Sequence, residues 1–188
     1  MPEIIQQLDE QALVWIAEHI RNAVLDPFMM LYTQLGNTGM LFIALGVVML
    51  LFKQTRKVGV SALCAMLIGL IVVNFTIKPL VARARPWLVI ENFVNLVPEH
   101  DPNSFPSGHT NAAFAFALAV CLSAPKKWMK ITAVCMAAVM GVSRLYVGVH
   151  FPSYVLAGAA IGSLCGLAGA WVVRKAWERL PSRLQGQG

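Results

Sequence analysis

Ser107, Gly108 and His109 open one of the most apolar stretches of this 188-residue chain, within the string SFPSGHT (Ser104–Thr110). A Pro-Ser-Gly-His turn is poor filling for a core. It sets a titratable imidazole beside a hydroxyl and the free N–H groups of a helix start, a combination suited to holding an anion. Other residues out of place in apolar surroundings repeat the theme. Lys78, Arg83 and Arg85 follow one hydrophobic run, Ser143 and Arg144 end another, and His150 sits in the turn after it. Arginine offers forked donors to phosphate oxygens, and lysine a point charge. Taken singly, Lys78, Arg83 and Arg85 read as interface residues with snorkelling stems, His109 as a cap and His150 as a turn residue. Converging on one face, they describe a site for a multiply charged anion, phosphate above all.

The elements that position them belong to a membrane. The chain is 57% hydrophobic and 13% charged, with mean hydropathy +0.65, against about 45–50% and about 25% in soluble domains. A bilayer core of about 30 Å needs about 20 apolar residues per helix. Spans are expected at 58–78, 107–124, 130–149 and 151–173. Residues 28–52 read either as one further span or as a short interfacial helix leading into one. Residues 4–24 carry an apolar stripe (Ile5, Leu8, Ala12, Trp15, Ile16, Ile20, Ala23) opposite Gln6, Asp9, Glu10, Glu18 and Arg21, which predicts an amphipathic helix on the membrane surface, ended by Asp26-Pro27. Residues 1–25 lack the basic start and apolar run of a cleavable signal peptide. The whole chain, 1–188, reads as a single all-α membrane domain.

The net charge of +6 does not point to nucleic acid, because it falls in three clusters: Lys53, Arg56 and Lys57; Lys126, Lys127 and Lys130; Arg174, Lys175, Arg179 and Arg183. Alternating spans put all three on one side, which the positive-inside rule makes the cytoplasm. The acidic N-terminal helix and the anion site then face outward. Cys64, Cys121, Cys135 and Cys165 all lie in apolar runs without CxxC spacing and read as free thiols. Gly158, Gly162 and Gly166, followed by Ala170, form a small-residue stripe for close helix packing, within the chain rather than between copies.

Three strings in order, KPLVARARP from Lys78, PSGH at Pro106–His109 and SRLYVGVH at Ser143–His150, resemble the three-part signature of the type 2 phosphatidic acid phosphatase family. The resemblance covers the motifs across 78–154 and the helical layout over most of the chain. It implies a helical bundle shared with vanadium haloperoxidases and hydrolysis of phosphomonoesters and diphosphates with no metal or other cofactor. By position, Lys78, Arg85 and Arg144 would hold phosphate oxygens, assisted by Ser107 and Gly108. His150 would attack phosphorus and His109 would protonate the leaving group. The expected partners are a lipid phosphate and the membrane, in a bacterial inner-membrane enzyme acting on undecaprenyl diphosphate, phosphatidylglycerophosphate or phosphatidate. A haloperoxidase is disfavoured because those relatives are soluble. A channel is disfavoured because the charges gather at one face.

One position departs from the family. Four residues after His150 the pattern has an aspartate that orients the imidazole; this chain has Tyr154. A phenol can hydrogen-bond an imidazole but brings no negative charge near neutral pH. Either Tyr154 leaves an impaired enzyme, in the extreme a phosphate-lipid binding protein, or another acid such as Glu99 or Asp101 reaches the site.

Overall fold

The computed structural model describes residues 3–179; Arg183 of the third basic cluster lies outside them. Among the described residues all regular structure is helical: α1 (Glu3–His19), α2 (Leu25–Leu35), α3 (Met40–Leu51), α4 (Arg56–Gly69), α5 (Lys78–Val81), α6 (Gly108–Ser123), α7 (Lys127–Tyr146) and α8 (Pro152–Glu178). The rod beginning at Arg56, α7 and α8 are each long and apolar enough to cross a membrane. The chain is therefore an all-α membrane bundle. α2 and α3 add a fourth crossing only if they act together, for they are bent by 56°. The break falls at Asn37–Gly39, where Thr38 and Gly39 take φ of 52° and 75°, which ends a right-handed helix. At 16 residues, α6 is about 24 Å long, shorter than the bilayer core. The Ser107 cap fixes its start and Pro125 follows its end.

Three expectations at the N-terminus need correction. α1 stops at His19, not residue 24, and Asp26-Pro27 opens the next helix instead of closing this one. The Asn22 side-chain oxygen accepts from the amides of Val24 (3.1 Å) and Leu25 (3.0 Å), capping α2, and a proline in a first turn forfeits no intrahelical bond. Asp9 is not on a solvated face. It is 4% exposed and accepts from the Ser153 amide (2.9 Å) and the Ser153 hydroxyl. A carboxylate at the first turn of α8 satisfies orphan amides and complements the helix dipole. Leu13, on the same side, is buried with Phe151 and Tyr154, whereas Ile4, Leu8 and Trp15 remain exposed.

The core lies where α4, α6, α7 and α8 meet, built largely of alanines such as Ala62, Ala65, Ala113, Ala117 and Ala137, with Phe42 packed on Phe116 at 5.3 Å between ring centroids. Small side chains let the helices approach closely. The glycine stripe of α8 faces α6: a Cβ on Gly158 would lie 2.6 Å from the Ser107 carbonyl oxygen, and one on Gly166 2.9 Å from that of Ala115. The stripe is thus used within the chain. Gly158→Ala is expected to cost about 1–3 kcal/mol and to depress activity as well, because the atom it pushes belongs to the cap residue of α6. Thermal unfolding together with phosphate release would check both effects.

Between α4 and α5 the rod widens to a π-helix over Leu70–Ile77, and Thr76 Oγ1 donates to Ile71 O, five residues back, at 3.0 Å. Pro79 follows, with no amide to continue an α ladder. Ala82, at φ 46°, then ends the rod, leaving Lys78 on its last turn and Arg85 in an extended stretch beyond.

Candidate active site

Arg85 is 1% exposed and donates to Val149 O at 3.1 Å, with a second guanidinium nitrogen 3.5 Å from Glu99. Arg144, on the last turn of α7, is equally buried. It donates to Thr33 Oγ1 at 2.6 Å and to the other Glu99 oxygen at 2.9 Å. Lys78 meets Asp101 at 2.6 Å. Three cations thus share two carboxylates, Glu99 and Asp101, both from the segment 82–107. Burial would raise the Asp101 pKa, but its hydrogen bonds from Lys78 and the Asn103 amide, with the charges of Lys78 and Arg85, hold it below the usual carboxylate range. Arg144 Nε is buried and has no partner among the described residues. A buried donor left unpaired costs about 1–3 kcal/mol, and an anionic oxygen is its natural complement.

The turn after α7 carries His150. Gly148 takes φ 79°, a conformation other residues rarely adopt, and a Cβ there would strike Arg21 and Phe93. That reversal brings Val149 and His150 back under the cations. His150 is buried, and its Nδ1 lies 2.9 Å from Ser104 Oγ. Burial, then the charges of Arg144 and Arg85 with lesser contributions from His109 and Lys78, pushes its pKa well below the usual imidazole value. The ring is therefore neutral near pH 7.

Gly108 and His109 form the first turn of α6, and His109 Nε2 lies 2.9 Å from Asn37 Oδ1 in the α2–α3 bend. Ser107 plays the cap: its hydroxyl meets Thr110 Oγ1 at 2.9 Å and its amide donates to Tyr154 O at 3.1 Å. Lys78, Arg85, Gly108, His109 and His150 line a cavity of about 650 Å³, whose other wall is Ile43, Leu63, Met66, Leu67 and Leu70. One end suits a phosphate and the other a hydrocarbon chain.

Tyr154 does not stand in for a carboxylate at His150. It is 2% exposed, packed edge-on against Phe105 and Phe151 with ring centroids 5.2 Å apart in each pair. Arg83 lies over the rings of Phe105 (5.5 Å) and Tyr154 (6.0 Å), apart from the other cations. Glu99 and Asp101 are engaged with those cations, while the His150 ring meets Ser104. Thr33, Asn37, Glu99 and Ser104 thus join the site without having been assigned these places from sequence. The signal for the first two was available: Thr33 and Asn37 are polar residues between the apolar runs 28–32 and 40–52, and Asn37 adjoins Gly36.

Because Glu99 occupies two buried cations, removing its charge frees both for an added anion, and Glu99→Gln is expected to tighten inorganic phosphate or vanadate binding by about tenfold, equivalent to about 1.4 kcal/mol. The same change should lower the thermal stability of the ligand-free protein, since Arg85 and Arg144 lose their shared counter-ion. Calorimetric titration and a melting curve would read the two effects.

A helical membrane bundle with buried arginines and two histidines around an amphipathic chamber has the chemistry to hold a phosphate. The PAP2 superfamily model matches residues 59–178, and the chain belongs to that superfamily. It is 39% identical over 119 residues to an undecaprenyl-diphosphatase of Sulfolobus acidocaldarius, covering 61% of this chain and 55% of that one, so it spans about half the length of this relative. Phosphatidylglycerophosphatase B of Bacillus subtilis is 33% identical over 173 residues, 85% of this chain and 80% of the relative. Among solved structures, Aquifex aeolicus LpxE superposes with a TM-score of 0.75 at 28% identity, covering 88% of this chain and 94% of its own. A PAP2-type phosphatidylglycerolphosphate phosphatase from Bacillus subtilis gives 0.72 at 28% identity, covering 95% and 89%. The named enzymes among these relatives are phosphatases, hydrolases of phosphoric esters and anhydrides.

Proposed function

We propose that this protein is a lipid phosphatase of the inner membrane, removing a terminal phosphate from undecaprenyl diphosphate, phosphatidylglycerophosphate or phosphatidate. The observation that carries this reading is the cation group itself: half-buried Lys78 and fully buried Arg85 line a cavity walled by aliphatic side chains, and buried Arg144, joined to Arg85 through Glu99, keeps an unpartnered Nε. His150 Nε2 attacks phosphorus, the P–O bond to the lipid breaks, and His109 delivers a proton to the departing oxygen. Water then attacks the phosphohistidine, with His109 as base, releasing inorganic phosphate and restoring His150. The fixed cations neutralise the equatorial oxygens, which is most of what phosphoryl transfer requires of a protein, so no metal is needed. The basic loops and tail are cytoplasmic and the site opens outward.

Purified protein should release phosphate from a panel of these three lipids in the presence of a chelator. Loss of activity on chelation refutes the metal-free route, and cytoplasmic labelling of a cysteine placed within 88–104 refutes the orientation. The packing of Tyr154 away from His150 supports a second reading, a phosphate-lipid binding protein with little turnover. Tight vanadate binding without phosphate release from any lipid of the panel would decide for it.

A further inference from the structure

We propose that Ser104 is the positioning residue of His150, fixing the proton on Nδ1 so that Nε2 presents its lone pair to phosphorus. This rests on the phosphohistidine reading above. Ser104 is fully buried, and its amide donates to Arg83 O at 2.7 Å, which anchors its backbone. Its Oγ lies 2.9 Å from His150 Nδ1 and 3.3 Å from Val149 O. The carbonyl can only accept, and the hydroxyl has one proton.

Those two contacts select a tautomer. If the serine proton pointed at Nδ1, Oγ and the Val149 carbonyl oxygen would face one another as two acceptors, and Nε2 would carry the ring proton and could not attack. If the serine proton points at Val149 O, both contacts are hydrogen bonds, Oγ accepts from Nδ1–H, and Nε2 is free. Val149 O also accepts from Arg85 at 3.1 Å, so a residue of the cation group holds the same carbonyl that orients the serine. Attack forms the Nε2–P bond and leaves a cationic ring with its proton still on Nδ1, donated to Ser104. The serine does not take that proton, so the step balances without a base at this nitrogen. Position 154 cannot serve in the same way, because the Tyr154 ring is wedged between Phe105 and Phe151. The charged and titratable groups around His150 are Arg144, Arg85, His109 and Lys78, with Glu99 and Asp101 paired to three of them. Serine adds no charge to that set, so it acts on the position of the proton and not on the acid limb of the pH profile.

Ser104→Ala should lower kcat on phosphatidate micelles about 10–100-fold, the scale on which outer partners of functional histidines act. Its KM and vanadate affinity should stay within about threefold, because the cations are untouched, and Ser104→Thr should restore most of the rate. Histidine-selective ¹⁵N spectra should show Nδ1 protonated and Nε2 bare in the native protein, and a mixed or Nε2-protonated ring in Ser104→Ala. An unchanged tautomer in Ser104→Ala, a rate equal to the native one, or a Ser104→Thr variant as slow as the alanine would each overturn the role. If His150→Ala still turned over substrate, the phosphohistidine reading itself would fail, whatever Ser104 did.

Discussion

His150→Ala is expected to lower turnover by at least about 10⁴-fold, in line with the removal of a nucleophile from a hydrolase whose other parts stay intact. The site explains why binding should survive. Lys78, Arg85 and Arg144 are held by Asp101, Glu99, Thr33 and the Val149 carbonyl, none of which needs the imidazole side chain. Vanadate should therefore bind the variant with affinity close to native, measured by calorimetry, while phosphate release vanishes. The small residue in a buried position costs some packing, so a melting curve separates an inert enzyme from an unfolded one. A rapid-quench experiment should trap labelled phosphohistidine in the native protein and none in the variant. Loss of both turnover and vanadate binding in a folded variant would place His150 among the phosphate-holding groups instead.

Arg144→Ala should be nearly as damaging, by about 10³-fold in kcat/KM, the scale on which an arginine acts on the charge of a transferring phosphoryl group. Of Lys78, Arg85 and Arg144, it is Arg144 that has an unpaired buried donor among the described residues, so its fork has capacity that the protein itself does not use. Arg144→Lys keeps the charge and loses the fork, and it should recover only a small part of the rate. Stability should change less than activity, because Glu99 keeps its partner Arg85 and Thr33 keeps its place on α2. Equal losses in Arg144→Lys and Arg144→Ala would mean that geometry, not charge, is what the residue contributes. A native rate in either would remove Arg144 from the reaction.

The positions of Lys78, Arg85, His109, Arg144 and His150 were readable because each interrupts or borders an apolar run, where a charge is costly. The helices were readable for the same reason. What was hidden depended on the path of a loop. Glu99 and Asp101 were candidates for a place beside His150, and only the fold of 82–107 lays them against three cations instead. Ser104 stands in the very string that announced the site, yet a serine three residues before the helix cap carries no mark of a contact with a ring 46 positions away. Tyr154 shows the converse. Its spacing from His150 implied a place at the ring, but the aromatic pair Phe105 and Phe151 claims it. Asp9 was put on a polar face because periodicity tells which way a side chain points from its own helix. It does not tell that another helix end waits there.

That contact between Asp9 and Ser153 joins residues 144 positions apart, and it bears on how the protein is made. The helix that carries Asp9 leaves the ribosome well before the turn it caps. Until α8 enters the bilayer, α1 lacks the helix end that Asp9 caps, and a chain grows by about 5–20 residues per second. For that interval of several seconds to tens of seconds it must lie somewhere without aggregating. Its exposed Ile4, Leu8 and Trp15 offer an apolar face that can rest among lipid headgroups, so the membrane surface can serve as its waiting place until α8 arrives.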